Sequence, residues 1–96
     1  MTLYAILTRL SPEALARPGA IQELGAKVSE ALQAQVPEAR WVASYAVLGP
    51  CDYLDIIEAP NEEVAARASA VIRTLGHATT ETWVLIPWER FKAIAP

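Results

Sequence analysis

The chain has 96 residues, 53% of them hydrophobic, and a formal net charge of −3 at pH 7, the profile of one domain with a single modest core. That acidic balance argues against nucleic acid and anionic membrane surfaces as partners, because both select basic surfaces. No run reaches the roughly 18 apolar residues of a membrane span, and the lone cysteine cannot close an internal disulfide or build a zinc site by itself.

The N-terminal stretch MTLYAILTRLSPEA has no basic region ahead of its short apolar run. It is therefore not expected to be a signal peptide, and a reducing, cytoplasmic location is expected. Thr2 to Thr8 reads as a strand with Leu3, Ala5 and Leu7 on one face and Tyr4 and Ile6 on the other. Ser11-Pro12 is an N-cap with proline at the first helical position, opening a short turn to Arg17 that Pro18-Gly19 interrupts. A longer helix follows over about Ala20–Gln35, with Ile21, Leu24, Val28, Ala31 and Leu32 as its apolar stripe. Trp41–Leu48 is the second strand, with Trp41, Ala43, Tyr45 and Val47 sharing one face. A break at Gly49-Pro50 leads into a third strand, Asp52–Ala59. Asn61 caps a second helix, with Glu62 and Glu63 in its first turn and Val64, Ala68, Val71, Ile72 and Leu75 as its stripe. Gly76 is expected as its left-handed stop. Ala78–Ile86 is the fourth strand, and Trp88–Ile94 a short terminal helix resting on Phe91 and Ile94.

The order β-α-β-β-α-β is that of a single α+β domain over residues 1–96, ferredoxin-like, with a four-stranded antiparallel sheet and both long helices on one face. The second face needs a cover. With Tyr4 and Ile6 assigned to it, that face is not simply solvated, and the cheapest cover is another copy, sheet to sheet, giving a dimeric α+β barrel.

The segment LGPCDYLDIIEAPNEE (Leu48–Glu63) resembles the central part of the GYD-domain family of small bacterial and archaeal proteins. That family carries a Gly-x-Tyr-Asp signature at the turn into the third strand, followed by an apolar run, Glu-Ala-Pro and a helix cap. Here the signature reads Gly49, Pro50, Cys51, Asp52, so Cys51 stands in place of the usual tyrosine. GHATTETW (Gly76–Trp83) and PWERF (Pro87–Phe91) look like one branch of the same family, and the similarity runs from Tyr4 to Ile94. The resemblance implies a ferredoxin-like α+β fold and no particular reaction, since the family's members are of unknown function.

Among residues that can carry chemistry, Asp52 and Glu58 share one strand face, while Asp55 shares the other with Tyr53 and Ile57. Asp52 reads as a turn residue holding backbone amides, and Glu58 as a solvent-facing or cross-strand partner. Asp55 lies mid-strand, where a buried carboxylate needs a partner. Tyr45, Thr80 or Thr82 can satisfy it, or it can form the polar wall of a cavity. His77, the only histidine, follows the second helix and is either a loop residue or a general base with Asp55 or Glu81. Glu81 and Trp83 share a face of the fourth strand. Trp41, Trp83 and Trp88 are core or interface anchors, or walls for an apolar ligand. Cys51 lacks an adjacent base and reads as a small, partly buried residue. No metal-ligand spacing, phosphate loop or cofactor fingerprint occurs.

Three readings follow. The first is a homo-oligomeric small-molecule-binding or regulatory module whose site is bordered by Tyr45, Tyr53, Asp55, His77, Glu81 and Trp83. The second is a cofactor-independent, monooxygenase- or isomerase-like enzyme using His77 and Asp55 for acid–base work, by analogy of fold. The third is a structural domain that pairs with other proteins. The first is preferred, because the strands are apolar on both sides and no catalytic motif is present.

Overall fold

The structure is a computed structural model that describes residues 1–96. The elements are β1 (Thr2–Leu10), a 3-10 turn (Pro12–Leu15), α1 (Ala20–Gln35), β2 (Arg40–Ala46), β3 (Tyr53–Ala59), α2 (Glu62–Leu75), β4 (Ala78–Leu85) and α3 (Trp88–Ile94). The strands form one four-stranded sheet in the order β2-β3-β1-β4, antiparallel throughout. This is an α+β domain with a four-stranded antiparallel sheet and three helices.

Local chemistry explains most boundaries. The Ser11 hydroxyl accepts the Ala14 amide at the start of the 3-10 turn, and Asn61 Oδ1 accepts the Val64 amide at the start of α2, each satisfying a donor that the helix leaves unpaired. The end of α2 differs from the expected left-handed stop. Gly76 has φ −91°, and the left-handed residue is His77, at φ 50°. Gly76 is needed for space: a Cβ there would stand 2.6 Å from the Ile72 carbonyl oxygen and 3.4 Å from Val28.

The core lies between the sheet and the two long helices. Tyr4, Ile6, Ile57 and Ala59 from the sheet meet Val28 and Leu32 of α1, Val36 just beyond it, and Val64, Ala65, Ala68, Val71 and Ile72 of α2. Both long helices therefore cover the same sheet face. Tyr4 and Ile6 are buried beneath them, which reverses their assignment to the uncovered face. Tyr4 lies opposite Ile57 in the antiparallel register, and Ile57 is enclosed by α2. The uncovered face carries the alternate set instead: Leu3, Ala5 and Leu7 of β1, Leu54 and Ile56 of β3, Ala43 and Tyr45 of β2, and Trp83 of β4.

A bulge at Val42 corrects the reading of β2. Trp41 pairs with Ile57 and Ala43 with Ile56, so one extra residue sits between them. Trp41 therefore faces the helices, on the side opposite Ala43 and Tyr45. The terminal helix also differs from expectation. No residue of α3 is buried, and Phe91 and Ile94 are exposed. Its aromatic contact is internal, Trp88 stacked on Phe91 with centroids 5.6 Å apart. No helix is long and apolar enough to cross a membrane.

Candidate functional site

The helix α1 does not lie flat on the sheet. It packs mainly on α2 and the 3-10 turn, and near its C-terminal end Arg67 of α2 bonds to the Gln35 carbonyl and pairs with Glu38. Between the rest of α1 and strands β2 and β3 lies a cavity of about 670 Å³. That volume is within the range of small-molecule sites, roughly 300–1,000 Å³. Leu24, Val28 and Leu32 form its helical wall, and Trp41, Ser44, Tyr53 and Asp55 its sheet wall.

The bulge at Val42 builds this sheet wall. Trp41 and Ser44 are three apart, a spacing that points to opposite faces of a regular strand. With one residue looped out, both look towards α1. Ser44 lies opposite Asp55 in the register, and its hydroxyl donates to Asp55 Oδ1 at 2.5 Å. Asp55 is only 5% exposed. Its other oxygen, Oδ2, accepts no hydrogen bond from the protein and is not enclosed; it opens on the cavity.

Tyr53 lines the same wall. Burial pushes its phenol above the ordinary tyrosine range, the nearby Thr8 hydroxyl lowers it somewhat, and the carboxylates of Asp55 and Asp52 push it further up. Thr8 Oγ1 is enclosed and completes no hydrogen bond of ordinary geometry, so its effect is one of proximity. A phenol held up in the folded state favours folding fully below the unfolded tyrosine value, and this contribution is lost as pH rises through the higher folded value. Unfolding midpoints in urea between about pH 9 and pH 11 should therefore fall more steeply for the native protein than for Tyr53→Phe. Parallel curves would mean that the phenol is not perturbed.

The candidate residues named from sequence fall in three places. Asp55 and Tyr53 share the cavity. Tyr45, Glu81 and Trp83 lie on the uncovered sheet face and do not reach it. His77 sits in the turn between α2 and β4, where it lines a separate shallow groove with Ala14, Ala20 and Lys27. It makes no hydrogen bond to Asp55, whose side-chain bond is to Ser44. Trp41, one of the three tryptophans named from sequence as an anchor or a wall for an apolar ligand, lines the cavity. The residues not foreseen are Ser44, which shares a face with Trp41 only because of the bulge, and Gly25, which leaves the α1 wall open because no atom lies within 4 Å of where its Cβ would stand. No group of three or more His, Cys, Asp or Glu residues is placed to hold a metal ion.

The turn before β3 is tied to β1. The Asp52 carboxylate accepts the Leu10 amide at 2.7 Å, the Asp52 amide donates to the Thr8 carbonyl at 2.8 Å, and Arg9 donates to the Pro50 carbonyl. Comparison with family models finds a match to the GYD domain over residues 4–95. The chain belongs to the GYD domain family. No curated protein matches it. In this GYD domain the signature segment Gly49–Asp52 thus joins the β2–β3 turn to the end of β1. Asp52 acts as a backbone cap there, and Cys51, in the tyrosine position, is buried. Glu58, on the uncovered face, pairs with Arg40 of the neighbouring strand.

Proposed function

We propose that this GYD-domain protein is a homo-oligomeric small-molecule-binding module, with the cavity between α1 and the sheet as its site. The observation that carries this reading is Asp55: a carboxylate almost wholly removed from bulk water, with one oxygen directed into a largely apolar cavity of ligand size. A buried carboxylate with one oxygen left without a donor is costly, and a polar group converging on an apolar cavity is a common mark of a binding site.

The oligomeric part of the proposal rests on surface that a monomer leaves wet. The β2-β3-β1-β4 order supports a ferredoxin-like reading, and its uncovered face carries Leu3, Leu7, Leu54, Ile56 and Trp83. The exposed Trp88, Phe91 and Ile94 of α3 add a second unpartnered apolar surface. A second copy, sheet to sheet in a dimeric α+β barrel, buries the first of these. The enzymatic alternative has less support, because His77 and Asp55 line different depressions.

Gly25→Phe tests the site. The position is helical and open, and phenylalanine is a somewhat better helix former than glycine, by up to about 0.5 kcal/mol. The variant should melt at or above the native temperature while its ring occupies the cavity. Binding of an apolar fluorescent dye, measured by titration, is then expected to weaken at least about tenfold. Undiminished dye binding by the folded variant would remove the cavity from consideration.

A further inference from the structure

We propose that the cavity takes a small organic cation: an amine with an apolar body whose ammonium group docks at Asp55. This deepens the reading of the cavity as a binding site and rests on it.

The argument is one of charge and partners. Asp55 Oδ1 is engaged by Ser44, and Oδ2 faces the cavity without a donor. No positive side chain compensates this carboxylate. The four ion pairs of the chain all lie elsewhere, and Arg40, a cation at the cavity rim, is committed to Glu58 on the opposite face of the sheet. Asp52 adds negative charge near Tyr53, whose phenol is raised first by burial and then, in smaller part, by the carboxylates of Asp55 and Asp52.

A ligand that completes this site must supply hydrogen-bond donors and positive charge together. An ammonium group does both, with three donors on a compact centre. Trp41 and Tyr53, on the same wall, offer aromatic faces of the kind that attract cations. The helical wall of Leu24, Val28 and Leu32 suits a hydrocarbon or aromatic body. A carboxylate ligand meets repulsion from Asp55, and a neutral alcohol satisfies one lone pair without balancing the charge.

Three probes of nearly the same shape separate these cases: 2-phenylethylamine, 2-phenylethanol and phenylacetate. Isothermal titration of each into the native protein at neutral pH and low salt should rank the amine at least about tenfold above the alcohol, with the anion weakest. Asp55→Asn keeps an acceptor for the Ser44 hydroxyl and removes the charge; it should bring the amine down to the level of the alcohol while circular dichroism confirms the fold. The ranking on the native protein needs no variant, so the proposal can be tested even if Asp55→Asn unfolds. Equal affinity for amine and alcohol, or an amine affinity that survives in folded Asp55→Asn, overturns the cation assignment and leaves the cavity as a neutral apolar site. Absence of binding by all three probes, together with the apolar dye, overturns the binding reading itself.

Discussion

Ile56→Lys is expected to turn the proposed sheet-to-sheet dimer into monomers. Ile56 lies on the uncovered sheet face, between Ala5 and Ala43 on its neighbouring strands. In a monomer a lysine at this position reaches water along its flexible stem, and the fold loses little. In a sheet-to-sheet dimer the same ammonium is stripped of water, while Glu58, two residues along the same face, is already paired with Arg40, at a penalty of about 3 kcal/mol. That corresponds to a dissociation constant raised more than about 100-fold. Sedimentation across a concentration series measures the shift, with circular dichroism to confirm that the monomer remains folded. A dimer of unchanged affinity would move the interface away from the sheet, and the exposed side of α3 would be the next surface to alter.

Ile57→Ala carries the largest expected loss of stability. Its neighbour in sequence faces the other way: Ile57 has no exposed surface and sits in the core beneath α2, opposite Tyr4 and Trp41. Removing three carbons there forfeits their transfer energy and leaves a void that packed neighbours only partly fill, costing about 2–5 kcal/mol. A domain of this size has only about 5–15 kcal/mol in all, so the melting temperature should fall by roughly 10–25 °C. Ile86→Ala, at a half-exposed position beyond β4, provides the control and should shift melting by no more than a few degrees. Comparable losses at the two positions would contradict the placement of the core.

These two isoleucines show what sequence reveals about this fold and what it hides. The alternation of β3 already puts Ile56 and Ile57 on opposite faces, and the periodicity of α1 and α2, with Asn61 and Ser11 as caps, locates the helices closely. Alternation does not say which face the helices cover when both are apolar. Tyr4-Ile6 and Leu3-Ala5-Leu7 are equally good candidates until the register with β3 is known. Asp55 stands out in sequence because a carboxylate among Leu54, Ile56 and Ile57 is anomalous, but its partner does not. Tyr45 looks suitable and points to the far face, whereas Ser44 lies directly opposite. The cavity has no local signature, because it arises from the way α1 stands away from β2 and β3. His77 attracts attention as the sole histidine, yet its place is fixed by the turn after α2, where its backbone is left-handed and its carbonyl accepts the Ser11 amide.

The bulge in β2 makes the candidate site depend on a count of residues as well as on their identity. Trp41 and Ser44 look into the cavity only because one position between them is out of register with β3. Deleting a single residue there would leave every lining side chain in the polypeptide while sending Trp41 to the far face or pulling Ser44 away from Asp55. Among related sequences, the spacing from the β2 tryptophan to the serine is therefore a sharper guide to a shared ligand than the presence of either residue. A chain with both residues but one fewer between them would be expected to keep the domain and to lack this pocket.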